Sequence, residues 1–139
     1  MTQVDFYVLP QSGSFTVGEA VGRLAEKALS RGHRIFVHVS DEQQGHHLDS
    51  ELWAFRPESF IPHALLGSDT TERVTIGWDE PPLAENDVLI NTTAIVPNFF
   101  SRFHRLAEIV SPDEAALAAS REAWRYYRDR GYPLAKYDL

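Results

Sequence analysis

Hydrophobic and polar positions follow two different periods in the first part of the chain, which predicts strands alternating with helices. A run of β-branched and aromatic residues from Val4 to Leu9 stops at a proline and predicts a first strand. From Val17 to about Arg31, apolar residues recur at three- and four-residue steps, as on a helix that packs one face on a sheet. Thr16 and Glu19 have capping-box spacing at its start, and Gly32 follows its end.

The same order then repeats. Arg34 to Val39 predicts a second strand, and Ser40 to Gln43 has capping-box spacing before a helix that reaches about Leu52. Strands joined through a helix must lie parallel, and such crossovers are right-handed. Three more strands are predicted, although the mixed pattern of the last also fits a helix: Arg73 to Gly77, Asp87 to Asn91 and Phe103 to Val110.

A final helix is predicted from Pro112 to about Arg130, with Gly131 as its stop. Its start combines a capping box from Ser111 to Glu114 with a proline at the first helical position. The whole order predicts a single α/β domain over residues 1–139, in which a mainly parallel sheet carries helices on both faces.

Composition and charge narrow the classes of function. The absence of cysteine excludes disulfides, thiolate zinc sites and cysteine nucleophiles. A formal net charge of -7 argues against broad contact with nucleic acid, so any such role is expected to be indirect. No run of about 18 apolar residues suits a membrane span, and the first residues lack the pattern of a signal peptide, so a cytoplasmic protein is expected.

Sequence signatures of catalysis and cofactor binding are missing. Neither phosphate-binding glycine motif occurs, nor a serine nucleophile elbow, nor histidines at metal-ligand spacing. The neighbouring carboxylates Asp41 and Glu42 are interpreted as helix-start residues. We therefore expect no catalytic residue, metal or cofactor. A small nucleotide-binding or hydrolytic α/β enzyme that uses Asp41, Asp49 or His63 is the alternative.

Arginines surround a tryptophan on one side of the final helix. Alanines and tyrosines gather on the other side, where small residues would allow close approach to the sheet. Aromatic and arginine side chains are enriched in binding hot spots, and arginine holds a carboxylate with two parallel hydrogen bonds. An arc of about 100° on this helix therefore predicts a site for an acidic peptide. Its residues are Leu117, Arg121, Trp124, Arg125 and Arg128.

Two other interpretations of this helix remain open. Arg128 and Arg130 complement the helix dipole, and Trp124 could be tucked under the C-terminal segment. Alternatively, Trp124 and the arginines bind single-stranded DNA directly, although a chain with this net charge should then bind it weakly.

The segment from Trp53 to His63, WAFRPESFIPH, combines aromatic residues with two prolines and is predicted to be a loop. Aromatic residues on a loop either pack beneath it or stand out as anchors for a partner. Exposure of Trp53 would favour the second interpretation.

Four stretches resemble the chi subunit of the bacterial DNA polymerase III clamp loader, over nearly the whole chain. They are DFYVL, LDSELWAFRPESFIPHAL, DVLINT and REAWRYYRDRGYPL. The resemblance implies a Rossmann-like three-layer fold that carries no nucleotide. It also implies a non-enzymatic adaptor in DNA replication that joins the psi subunit to the acidic C-terminal tail of single-stranded-DNA-binding protein.

The resemblance assigns residues to both partners. Family positions that bind the tail match Arg121, Trp124 and Arg125, and Leu117 stands where the family typically has lysine, which weakens the electrostatic part of tail binding. Aromatic positions on the psi side match Trp53 and Phe60. Within the same loop, the remaining apolar residues Phe55 and Ile61 are expected to form its own cluster, and His63 a hydrogen-bonding position.

Overall fold

The computed structural model describes residues 1–13, 15–55, 61, 63–65, 72–81 and 87–139, which form seven strands and three α-helices. The strands are β1 (Gln3–Val8), β2 (Ile35–His38), β3 (His63–Leu65), β4 (Val74–Gly77), β5 (Val88–Asn91), β6 (Arg105–Val110) and β7 (Leu134–Asp138). The helices are α1 (Val17–Ser30), α2 (Glu42–Trp53) and α3 (Glu114–Asp129). None of the helices in these ranges has the length and apolar character needed to span a membrane.

The strands form one sheet in the order β3-β4-β2-β5-β6-β1-β7, and every neighbouring pair is parallel. Helices α1 and α2 pack on one face and α3 on the other. The predicted three-layer α/β class is thus confirmed, with a sheet that is parallel throughout the described strands. Strands β3 and β7 lie at opposite edges of this sheet.

Each face of the sheet carries its own hydrophobic core. On one face, Val21 and Ala25 of α1 and Leu48 and Leu52 of α2 pack on the central strands. The core on the other face is aromatic, and its buried members include Phe6, Phe36, Phe99, Phe100, Phe103 and Tyr127. The second core holds α3 against β1 and β6, and so fixes the helix that carries most of the predicted site residues.

Neither edge strand, β3 nor β7, was predicted from the sequence. Buried parallel strands read as continuous apolar runs, whereas β3 has three residues and β7 is mostly exposed, so neither shows that signal. The segment near Phe103 is a strand, as preferred over a helix, but it begins at Arg105 because a 3-10 turn occupies Phe100–Arg102.

Aspartates cap two of the three helices. Thr16 caps α1 as predicted, with its hydroxyl oxygen 3.1 Å from the amide nitrogen of Glu19. The predicted serine caps of the other helices are wrong. The Asp41 carboxylate accepts a hydrogen bond from the backbone amide of Gln44 at 2.8 Å, and the Asp113 carboxylate accepts one from the backbone amide of Ala116 at 2.9 Å. Aspartate and serine stabilise a helix N-terminus about equally as N-cap residues, and the charge of aspartate also interacts favourably with the helix dipole.

This difference predicts the effect of removing a cap. Asp113→Ala should lower the free energy of unfolding by about 1 kcal/mol, the usual cost of losing an N-cap side chain. Urea denaturation measures this loss of stability. Ser111→Ala is the matched control and should lower the free energy of unfolding much less. A larger loss in Ser111→Ala than in Asp113→Ala would place the cap where the sequence pattern put it.

Candidate protein-interaction surfaces

The rotation of α3 about its axis differs from the prediction. Tyr127 and Ala123 are buried against the sheet, but Ala115 and Tyr126 of the predicted sheet-facing side are exposed. Trp124, predicted to lie on the opposite side, is half-buried, with its ring centroid 5.2 Å from that of Phe6. Large aromatic side chains bury more apolar area than alanines do, so the helix turns Tyr127 and Trp124 towards the sheet.

A buried polar network anchors α3 in this rotation. Glu108 of β6 accepts a hydrogen bond from the Asn91 side-chain amide at 2.7 Å and another from the Tyr127 hydroxyl at 2.5 Å. Burial raises the pKa of Glu108 to about 7, although both hydrogen bonds oppose the shift. Burial, followed by the nearby Glu108 carboxylate, also raises the pKa of Tyr127. The network ties α3 to β6 and to the last residue of β5.

A groove between α3 and β7 collects three of the predicted tail-site residues. This α3–β7 groove has a volume of about 270 Å³ and is lined by Phe6, Val8, Leu117, Ser120, Arg121, Trp124 and Lys136. Arg121 is exposed, and its side chain makes no ion pair or hydrogen bond within the described part of the chain. The groove therefore joins an apolar, aromatic floor to two cationic side chains.

Arg125 and Arg128 are not among the residues that line this groove. Arg125 donates a hydrogen bond to Glu122 at 2.9 Å and lines a separate groove with Ala94 and Tyr126. Arg128 is exposed and lies 3.1 Å from the carboxylate of its neighbour Asp129. Both guanidinium groups already contact a carboxylate on their own helix.

Lys136 is a groove residue that sequence reasoning missed. It lies on β7 directly beside Phe6 of β1, and its Nζ is 3.7 Å from the Asp138 carboxylate. The only signal in the sequence is a short alternation of polar and apolar residues after Gly131. That alternation does not reveal that β7 pairs with β1. Because of this pairing, Lys136 lines the same groove as Trp124.

The second predicted surface centres on Trp53, the last residue of α2. Trp53 is 54% exposed, and its ring centroid lies 4.3 Å from that of His63. The His63 side chain is fully buried. Its Nδ1 lies 2.6 Å from the Ile61 carbonyl oxygen and its Nε2 3.2 Å from the Asp49 carboxylate. A fixed imidazole thus supports an exposed indole, and we call this arrangement the Trp53 site.

Both ends of the segment predicted as an aromatic loop belong to regular elements, because Trp53 is the last residue of α2 and His63 is the first of β3. Phe60 lies outside the described residues. Ile61 is buried in the core on the α1 and α2 face of the sheet, and Phe55 packs against that core, so the two side chains join the main core and do not form a separate cluster of the loop's own. The Phe55 ring lies so close to Gly22 that an added Cβ there would come within 2.8 Å of it.

The residues of the enzyme alternative have structural contacts. Asp41 caps α2, and the Asp49 carboxylate contacts the buried His63 ring. His46 and His47 are exposed and face glutamates one helical turn away. No group of three potential metal ligands occurs among the residues that the structure describes. These contacts give the enzyme alternative no support.

Comparison with known proteins identifies relatives along the whole chain. The model of the family described as DNA polymerase III chi subunit, HolC, matches residues 1–135. DNA polymerase III subunit chi of Pseudomonas aeruginosa is 43% identical over 139 residues, covering 100% of this chain and 98% of that protein. The chi subunit of Haemophilus influenzae is 29% identical, covering 94% and 92%, and that of Escherichia coli is 28% identical, covering 96% of each.

Solved structures share the fold at low sequence identity. T4 UvsW matches 99% of this chain and 41% of its own with a TM-score of 0.69 and 5% identity. The C-terminal domain of S. cerevisiae Dbp5 matches 99% of this chain and 90% of its own with a TM-score of 0.60 and 10% identity. At such identities the likeness concerns the fold alone.

Proposed function

The chain belongs to the family of DNA polymerase III chi subunits, and we propose that it acts in DNA replication as a non-catalytic adaptor with two protein-binding surfaces. One surface, the α3–β7 groove, would hold the acidic C-terminal tail of single-stranded-DNA-binding protein. The other, the Trp53 site, would hold the psi subunit of the polymerase complex. Neither role requires a cofactor or a metal, and contact with nucleic acid in this role is indirect.

The observation that carries this proposal is the separation of the two surfaces. The Trp53 site adjoins β3, the first strand in the sheet order, and the α3–β7 groove adjoins β7, the last. At about 4.8 Å between neighbouring strands, opposite edges of a seven-stranded sheet lie roughly 29 Å apart. Two partners can therefore bind at the same time without competing for the same surface.

The groove matches the chemistry of an acidic tail that ends in an apolar residue. Phe6, Leu117 and Trp124 offer apolar surface for the last side chain, and Arg121 can hold the terminal carboxylate with paired hydrogen bonds. Lys136 supplies a second cation from the neighbouring strand, which offsets the lack of a basic side chain at Leu117. Arg125 and Arg128 lie outside the groove, where acidic residues earlier in the tail would compete with Glu122 and Asp129 for their guanidinium groups.

Arg121→Ala should weaken binding of a tail peptide by about 1.5 to 3 kcal/mol, the scale of a hydrogen bond to a charged group. The folded protein should lose little stability, because the Arg121 side chain is exposed and bonds to none of the described residues. Titration calorimetry at several salt concentrations measures the effect, and affinity should fall as salt rises because the site is open to solvent.

Arg23→Ala is the matched control, because Arg23 is an exposed arginine on α1, which packs on the other face of the sheet. Its guanidinium lies 4.7 Å from the Phe15 ring centroid. It should leave tail affinity unchanged. Amidation of the peptide's terminal carboxylate should weaken binding to the parent protein but make little further difference to Arg121→Ala. Equal binding of the peptide by Arg121→Ala and the parent would remove the groove from the proposed function.

A further inference from the structure

A second cationic surface lies on the face of the sheet opposite α3. It is a groove of about 130 Å³ between α1 and β6, with Lys27, Arg31, His33 and Arg105 among the residues that line it. Lys27 and Arg31 are exposed, and neither side chain makes an ion pair or hydrogen bond with any residue in the described ranges. We call this surface the α1–β6 groove.

The acidic groups near this groove already have partners within the protein. The Asp5 carboxylate, 4% exposed, lies 2.9 Å from Arg105 Nη2, and Arg105 keeps 54% of its own side chain exposed. Asp87 lies 3.3 Å from the His33 ring. The net positive charge that this groove presents therefore comes mainly from Lys27 and Arg31, and Arg105 adds exposed guanidinium surface that a phosphate can reach. In a chain of net charge -7, this is a local concentration of positive charge.

Two tyrosines stack beside these cations. Tyr7 of β1 lines the α1–β6 groove, and its ring stacks on that of Tyr137 in β7, with centroids 5.1 Å apart and an interplanar angle of 21°. Tyr137 is 47% exposed and lies on an edge strand, so Tyr7 covers one face of its ring and the remainder is open. A flat ring can therefore stack on the outer face of Tyr137.

We propose that the α1–β6 groove and Tyr137 together bind a short segment of single-stranded nucleic acid, with a base stacked on Tyr137 and phosphates on Lys27, Arg31 and Arg105. Aromatic platforms beside a row of cations are the features that bind single strands without sequence preference, because every base has a π-face. This contact goes beyond the adaptor role and does not depend on it.

An acidic peptide fits the same surface less well. An acidic side chain can pair with the cations but supplies no flat ring for Tyr137, whereas each nucleotide supplies a phosphate and a base together. We therefore assign the surface to a nucleic acid strand, and binding of an acidic peptide there is an outcome that the experiment below distinguishes.

Alternation along β7 separates this site from the α3–β7 groove. Successive side chains of a strand point to opposite faces, so Lys136 faces α3 whereas Tyr137 faces α1. A protein tail and a nucleic acid strand could therefore lie on either side of the same edge strand. Contact with the strand alone should be weak and sensitive to salt, because the net charge of the chain is negative.

Fluorescence anisotropy of a short labelled oligothymidylate, titrated with the full chain at several salt concentrations, tests the proposal. We expect saturable binding at low salt, and a slope of about -2 in a plot of log affinity against log salt if three phosphates are contacted. Tyr137→Ala should weaken binding roughly tenfold or more by loss of stacking, whereas Tyr137→Phe should retain it. Arg31→Ala should make the slope shallower by about 0.7.

Arg121→Ala is the matched control and should bind the oligonucleotide like the parent, because Arg121 lies on the other face of the sheet. Three results with the oligonucleotide would overturn the proposal: no saturable binding at low salt, equal binding by Tyr137→Ala and Tyr137→Phe, or loss of binding in Arg121→Ala. A fourth would assign the surface to a peptide. In that case the protein binds an acidic peptide, and Arg31→Ala weakens peptide binding but leaves oligonucleotide binding unchanged. If Tyr137→Ala does not fold, the salt slope of Arg31→Ala tests the proposal instead. This variant should fold, since the Arg31 side chain is exposed and makes no ion pair or hydrogen bond to the described residues.

Discussion

Glu108→Gln is expected to remove a pH dependence of about 3 kcal/mol from the free energy of unfolding. The pKa of Glu108 is raised from 4.5 to about 7 in the folded protein, with burial as the main cause. The folded state therefore holds this proton more tightly than the unfolded state does. The stabilisation that results is fully present below about pH 4.5 and is lost as the pH rises through about 7.

Urea denaturation of the parent and Glu108→Gln across this pH range measures the effect as a difference between the two proteins, which cancels the other titrating groups. The parent should lose stability relative to the variant as the pH rises, because glutamine keeps one acceptor and one donor but does not ionise. Glu122→Gln is the matched control, because the Glu122 side chain is 78% exposed on the same helix as Tyr127. If the difference in free energy of unfolding between the parent and Glu108→Gln stays constant with pH, the pKa of Glu108 is not raised by burial, and the prediction is wrong.

Trp53→Ala should weaken capture of a psi-type partner by about 2 kcal/mol or more, which is the scale of an interface hot spot. The indole is 54% exposed in the chain alone, and the buried His63 ring supports it at 4.3 Å. A rigid, exposed aromatic ring loses little conformational freedom when a partner covers it. Surface plasmon resonance with the immobilised partner measures the loss, and thermal unfolding of each variant measures stability.

Ile95→Ala is the matched control for Trp53→Ala. Ile95 is 76% exposed but lies after β5, away from the Trp53 site, so its loss should change neither partner affinity nor stability greatly. A steep fall in melting temperature for Trp53→Ala, with unchanged affinity in the folded fraction, would mean that Trp53 acts as a core residue.

Periodic patterns predicted the interior of this fold well. Helix α1 and the central strands β2 and β5 carry strong apolar signals because both faces of the sheet are covered. The edge strands β3 and β7 lack that signal, since β3 has only three residues and β7 is mostly exposed. Their absence from the prediction hid Lys136 and Tyr137, which contribute to the two surfaces on either side of β7.

The surfaces themselves were predicted only in part. A helical wheel gave the relative positions of Arg121, Trp124 and Arg125 on α3, but not which arc faces the sheet. That arc is set by Tyr127 and its buried partner Glu108, a contact between elements that no local pattern contains. The structure therefore places Trp124 and Arg121 in one groove and Arg125 outside it.

The measurement that tests the adaptor role most directly is a bridging assay with both partners. A labelled tail peptide should be retained on an immobilised psi-type partner only when this chain is added. With Arg121→Ala, the partner should still retain the chain but lose the peptide, and with Trp53→Ala it should lose both. If chain and peptide compete for the partner, or if the peptide is retained without the chain, the account of two separate surfaces on one adaptor is contradicted.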